Sequence, residues 1–114
     1  MVDNKLHRNY TVAIGALRFE WDQKKNSSNV SKHNVSFEDA LSVFWDPFGT
    51  AILDPDHSDD EERYIFIGIS STMKLLIVCH CYTEQGEAIR IISARRATKI
   101  EEKDYGRRTN ARRI

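Results

Sequence analysis

The sequence predicts an α+β domain: an antiparallel meander packed by two N-terminal helices, with a short third helix at its end. Three observations predict it. Residues 63–69, 74–82 and 87–95 are apolar, β-branched runs joined by short polar turns, the pattern of consecutive strands. Ser36 and Asp39 stand at capping-box spacing, and Phe37, Ala40, Leu41 and Phe44 follow as a stripe with helical period. Thr98 and Glu101 repeat the capping spacing directly after the last apolar run, so a helix starts there.

Taken in order, residues 1–16 have some apolar character but no sustained period, and are expected to be a poorly ordered extension to a domain spanning 17–106. Leu17, Phe19 and Trp21 alternate inward from a first strand. Asp22 can then cap a helix through about His33. Asn26, Asn29, Val30 and His33 share one face of that helix, and only Val30 is a hydrocarbon. Contact with the sheet, rather than intrinsic propensity, must therefore hold it. Asn34 suits the left-handed residue that stops a helix. The second helix runs from Ser36 to Asp46, where Pro47 forbids its continuation. Residues 50–53 form a short strand, and an acidic loop over 54–60 leads into the meander.

Turns centred near Ser71-Thr72 and Gln85-Gly86 would divide the meander into two faces. One would carry Arg63, Ile65, Ile67, Leu76, Val78, His80, Tyr82, Ile91, Ser93 and Arg95. The other would carry Tyr64, Phe66, Leu75, Ile77, Cys79, Cys81, Arg90, Ile92 and Ala94. Both are largely apolar, so helices should cover one and at least part of the other. The third helix spans 99–105 and closes at Gly106, leaving 107–114 as a flexible basic tail.

A chain of 114 residues fits one domain able to bury about two thirds of its unfolded surface. Lys and Arg total 17, as do Asp and Glu, so net charge predicts no polyanion binding. The distribution does. Residues 88–114 hold nine Lys/Arg against three carboxylates, whereas 54–62 hold six carboxylates and no Lys/Arg. Cys79 and Cys81 lie two apart on a strand, cannot easily bridge without strain, and read as reduced, buried thiols. With no second ligand pair near Cys79-His80-Cys81, neither a metal site nor a cofactor is expected. No apolar run approaches a membrane span, and a soluble, cytoplasmic protein is expected.

The last strand draws attention to chemistry. It carries Arg90 near its beginning and Arg95 and Arg96 near its end, and buried arginines require a partner or a ligand. They could pair with Glu61, Glu62 or a helix carboxylate. They could instead form an anion-binding face, with phosphate as the anion that best fits a guanidinium fork. Backbone amides at the following helix start would add to such a site at Arg95.

Four ordered blocks carry a family resemblance: FEWDQKKNSSNVSKHNVSFEDALSVFWDP (19–47), DPDHSDDEERYIFIGIS (54–70), LLIVCHCY (75–82) and RIISARRATKIEEKDY (90–105). Together the sequence resembles the BrnT family, toxins of bacterial type II toxin–antitoxin systems, over roughly residues 17–105. The family usually has glycine where Asn34 stands. The resemblance implies a RelE-like ribonuclease fold and a cytoplasmic bacterial setting. It also implies a BrnA-like antitoxin, which would bind operator DNA and with which the toxin would repress its own operon.

RNA cleavage without a metal needs a base for the 2′-hydroxyl, cations for the phosphorane and an acid for the leaving oxygen. Arg63, Arg90 and Arg95 are candidate cations, His57 or His80 candidate proton carriers, and Glu62 (or Glu61) a candidate base if its pKa is raised. Lys32, His80, Ser93, Arg96 and Tyr105 are further candidates for holding RNA. Each has a structural alternative: His80 as a core histidine, His57 as an ordering residue of its loop, Glu61 and Glu62 as partners of arginines. Lys32 and His33 could simply complement a helix dipole, and Tyr105 could pack its ring. The competing function is a non-catalytic binding module that shares the fold and acts only through a protein partner.

Overall fold

Strand pairing begins one element earlier than the sequence predicts. The computed structural model describes residues 9–56, 62–83 and 86–113, and its first strand, β1, is Asn9–Ile14. It pairs antiparallel with β2, Leu17–Asp22, along its whole length, turning through Gly15 at φ 60°. Tyr10 lies 5.1 Å from Trp21 between ring centroids, so residues 9–14 of the expected loose segment instead pair with β2 and pack on a core aromatic, while residues 1–8 lie outside the described residues.

The helix α1, Gln23–His33, starts as predicted, with Asp22 Oδ1 accepting from the Lys24 amide at 2.8 Å. Asn34 ends it at φ 57°. Its docking is polar. Val30 points outward, 42% exposed, while Asn26 and Asn29 are buried. The Asn29 amide donates to Ala94 O and Val35 O, each at 2.8 Å, and its Oδ1 accepts from Ala94 N at 3.1 Å. A side chain thus satisfies both backbone groups of one strand residue, as a neighbouring strand would. Asn26 Oδ1 accepts from the Phe37 amide at 2.9 Å and fixes the start of α2, Phe37–Leu41. Ser36 caps α2 through the Asp39 amide, and a 3-10 turn, Ser42–Trp45, extends it to Asp46.

The remaining elements are β3 (Thr50–Leu53), β4 (Tyr64–Ile69), β5 (Leu75–Tyr82), β6 (Ile89–Arg96) and α3 (Lys99–Arg113). Sheet order is β1-β2-β6-β5-β4-β3. The predicted meander is present, but the sheet is mixed: β2 runs parallel to β6, pairing Phe19 with Ile89 and Glu20 with Arg90. Where the sequence ends the last helix at Gly106 and leaves a tail, α3 continues to Arg113.

The facing of the meander also differs, for two local reasons. The β4–β5 connection runs from Ser70 to Lys74, with Met73 at φ 66°, and its register sets Tyr64 rather than Arg63 on one face with His80. An irregularity between Cys79 and His80 shifts β6 by one residue: His80 opposes Ile91, yet Cys79 opposes Ser93 and Ile77 opposes Arg95. Phe66, Leu76, Val78 and Ala94 therefore face the helices, with Phe19, Trp21, Phe37, Val43 and Ile91 completing the core. Each such burial contributes about 1.5–3 kcal/mol for the larger side chains. Gly68 lets the 3-10 turn lie close on β4, since a Cβ there would sit 3.1 Å from Val43 O.

Candidate functional site

The opposite face of the sheet gathers charged and polar side chains. Cross-strand register sets Ile52, Ile65, Cys79 and Ser93 in one row, and Thr50, Ile67, Ile77 and Arg95 in the next. Arg63 precedes Ile65 by two residues and so looks the same way. Above these rows lies a cleft of about 370 Å³ walled by Arg63, Cys79, Ser93, Arg95, Asp54 and His33. Asn29 explains the presence of His33. By tying α1 to Ala94 beside β6, it delivers the last residue of the helix to the rim of this cleft.

Arg95 meets a helix carboxylate, one of the two fates the sequence allows. Its Nη1 and Nη2 donate to the two Glu101 oxygens at 2.9 and 3.0 Å. Glu101 Oε1 also accepts from the Thr98 amide at 2.8 Å, and the Thr98 hydroxyl accepts from the Glu101 amide, which completes the capping box. The helix start that could have held an external anion is therefore occupied by the chain's own carboxylate. Hydrogen bonding from Arg95 draws Glu101 down to about 2, and the same contact raises the arginine. Arg95 stays 42% exposed although both terminal nitrogens are engaged, Nη1 donating also to Arg96 O.

Cys79 is only half-buried, contrary to the reading of both thiols as core residues, whereas Cys81 is buried. Burial pushes the Cys79 thiol up, and the nearby Asp54 carboxylate adds to the rise. A thiol so held stays protonated.

Of the predicted residues, Arg63, Ser93 and Arg95 come together. Arg90 does not join them, because it forms an ion pair with Glu20 on β2. Glu62 is exposed beside Tyr64, 3.5 Å from its hydroxyl, and does not line the cleft. Lys32 projects from α1 outside it, and Arg96 borders a separate depression with Lys74, Thr98 and Glu102. His57 lies outside the described residues, as does Glu61. His80 is fully buried against Phe44, Tyr64 and Tyr82, with Nδ1 3.2 Å from Val78 O, and burial lowers its pKa. Tyr105 is buried and donates to Asp46 Oδ2 at 2.5 Å, anchoring α3 to the end of the 3-10 turn. Sequence reasoning missed Asp54 and Cys79 as cleft residues and set His33 aside as a dipole complement. The expected alternation of Cys79 was visible, but its face depended on the register.

Among the described residues no helix is long and apolar enough to cross a membrane, and no group of three or more His, Cys, Asp or Glu is placed to hold a metal ion. Comparison with curated proteins found no match. Among solved structures, the 1.1 Å crystal structure of the Brucella abortus ribonuclease toxin BrnT shares 27% sequence identity, covering 69% of this chain and 94% of that one, with a TM-score of 0.47. Residues 21–101 match the family described as "Ribonuclease toxin, BrnT, of type II toxin-antitoxin system". That stretch contains every residue named above as lining the cleft, and the chain belongs to the BrnT family of ribonuclease toxins of type II toxin–antitoxin systems.

Proposed function

We propose that the protein cleaves RNA in the cleft between Arg63 and Arg95, without a metal ion, by a RelE-like reaction. The observation that carries this is the convergence of the two guanidiniums, the Ser93 hydroxyl and the His33 imidazole on one open sheet face. The phosphate sits between the arginines, which supply the charge stabilisation that a metal could otherwise provide. The 2′-oxygen forms a bond to phosphorus as the bond from phosphorus to the 5′-oxygen breaks. His33, or the Asp54 carboxylate, removes the 2′-proton, and a protonated group returns one to the leaving oxygen. Imidazole can do either. Ser93 donates to a non-bridging oxygen. The products are a 2′,3′-cyclic phosphate and a 5′-hydroxyl.

In this reading the protein acts in the bacterial cytoplasm, arrests growth, and is neutralised by a BrnA-like antitoxin. Acidic or polar segments of that partner would cover the same cations that attract RNA. Operator DNA would be bound by the antitoxin, and the pair would repress their operon.

The test is cleavage of a short RNA by the purified chain in buffer containing a chelator. Cyclic-phosphate ends should appear with the native protein, fall by roughly a hundredfold in Arg63→Ala, and vanish when the antitoxin is added. Growth arrest and antitoxin capture with no cleavage under any buffer would establish the non-catalytic binding module instead.

A further inference from the structure

Next to that cleft, which sets Arg63 and Arg95 against Asp54 and Asp56, the same sheet face holds a second one of about 540 Å³. Its floor is Ile52, Ile65, Ile67 and Ile77, β-branched side chains standing in two adjacent rows of the sheet. The floor is open at its β3 end, where Ile52 is 57% exposed; Ile65 and Ile67 are half-buried and Ile77 is buried. Ile65 and Ile77 belong to both clefts, and the Arg95–Glu101 pair stands at the boundary between them. On the far side α3 contributes Arg107 and Arg108, with Arg107 73% exposed and held only loosely by Asp104 at 3.6 Å.

We infer that this groove receives a nucleobase of the RNA strand, the one adjoining the phosphate held at Arg63 and Arg95. The inference rests on the ribonuclease reading and adds a subsite to it. A base presents two apolar faces and a polar edge, and the groove offers an isoleucine floor with a rim of charged groups. The Arg107 guanidinium can lie over the exposed face of a base seated on that floor, as planar cations do over π-systems. Thr50, Asp104 and Arg108 stand where the base edge would emerge. Continuity with the phosphate cleft is the reason for choosing a base over an apolar protein segment. In a single strand, base and phosphate are covalent neighbours, so one nucleotide fills both clefts at once. A base-paired strand could not present its base this way, and the groove therefore selects single-stranded RNA.

Isoleucine methyl NMR on the full chain tests this with a tetranucleotide made non-cleavable by a 2′-deoxy substitution. The base should impose ring-current shifts on the Ile52 and Ile67 methyls, and an abasic residue at that position should abolish them. Ile52→Asp, at an exposed position, should raise KM roughly tenfold with little change in kcat, the size expected for one lost stacking contact. It should also flatten base preference at the cleavage site. Arg107→Ala on the exposed side of α3 should act in the same direction. Unshifted methyls would overturn the subsite, as would unchanged KM and base preference in both variants. It is also overturned if the substitutions weaken only antitoxin capture, which would assign the groove to the protein partner. Base-dependent methyl shifts in a protein that never cleaves RNA would support the subsite while refuting the ribonuclease reading.

Discussion

Replacing Arg95 by alanine separates an ion pair that stabilises the fold from a cation that serves the reaction. The pair is bidentate, at 2.9 and 3.0 Å, but its side chains are 42% and 31% exposed. Taken at face value, drawing Glu101 from 4.5 to about 2 corresponds to roughly 3 kcal/mol. Solvent screening of a pair this exposed brings the contribution down to about 1 kcal/mol. Thr98 keeps its capping contacts in the variant, so α3 still has a start. Arg95→Ala should therefore lower Tm by only about 5 °C. Losing a donor to the phosphorane should lower the cleavage rate by on the order of a hundredfold. Arg95→Lys should recover most of the stability but little of the rate, because one ammonium cannot reproduce the fork. Melting curves and cleavage rates measured on the same preparation decide the matter. A variant that melts far below the native protein yet cleaves normally per folded molecule would refute the catalytic role. Acid should weaken the pair. The depressed carboxyl contributes stability that is present above pH 4.5 and is lost as pH falls towards 2. The Tm difference between native protein and Arg95→Ala should shrink over that interval.

Asn29→Ala should destabilise by about 3 kcal/mol, since it strands the Ala94 N–H, the Ala94 carbonyl and the Val35 carbonyl in a buried place; denaturant unfolding measures it, and a loss under 1 kcal/mol would show that water replaces the amide. Truncation before Leu17 should lower Tm measurably, because it bares the outer edge of β2 and removes Tyr10 from Trp21; an unchanged melt would make β1 dispensable. His80→Phe should retain RNA cleavage and match or exceed native stability, since Nε2 is buried and has no hydrogen-bond partner among the described residues. Lost cleavage in a folded His80→Phe protein would bring that histidine back into the site.

What was legible in the sequence was local. Asp22, Asn34, Ser36 and the Thr98/Glu101 pair announce helix ends through contacts within a few residues, and each cap is where the sequence places it. Ser93 and Arg95 were legible as neighbours from the two-residue period of one strand, and Arg63 joins them because the one-residue shifts between β4 and β5 and between β5 and β6 cancel. Features that depend on distant or unusual backbone were not. Met73 in the left-handed region has no glycine or asparagine to signal it, and that one residue turns β4 over relative to β5. The shift beside Cys79 then moves the end of β6 again. Arg90 resembled its neighbours in sequence, but its partner, Glu20, reaches it only through a parallel pairing that no local pattern encodes. Asn29 is the sharpest case. Its type predicts a polar helix face, whereas its environment makes it a substitute for strand backbone.

The parallel pairing of β2 with β6 also orders events in time. Residues of β4 and β5 meet across a short turn and can associate early, whereas Phe19 must find Ile89 across most of the chain. The floor of the cleft therefore assembles from nearby segments, but His33 reaches the rim only once α1 has settled against Ala94 of the last strand. On the proposed reading, the site is incomplete until β6 has been captured by the N-terminal half. Pulse-labelled hydrogen exchange should show β4 and β5 amides protected before that of Ala94. The interval between those two events is the time in which a nascent toxin can meet its antitoxin before its site is complete.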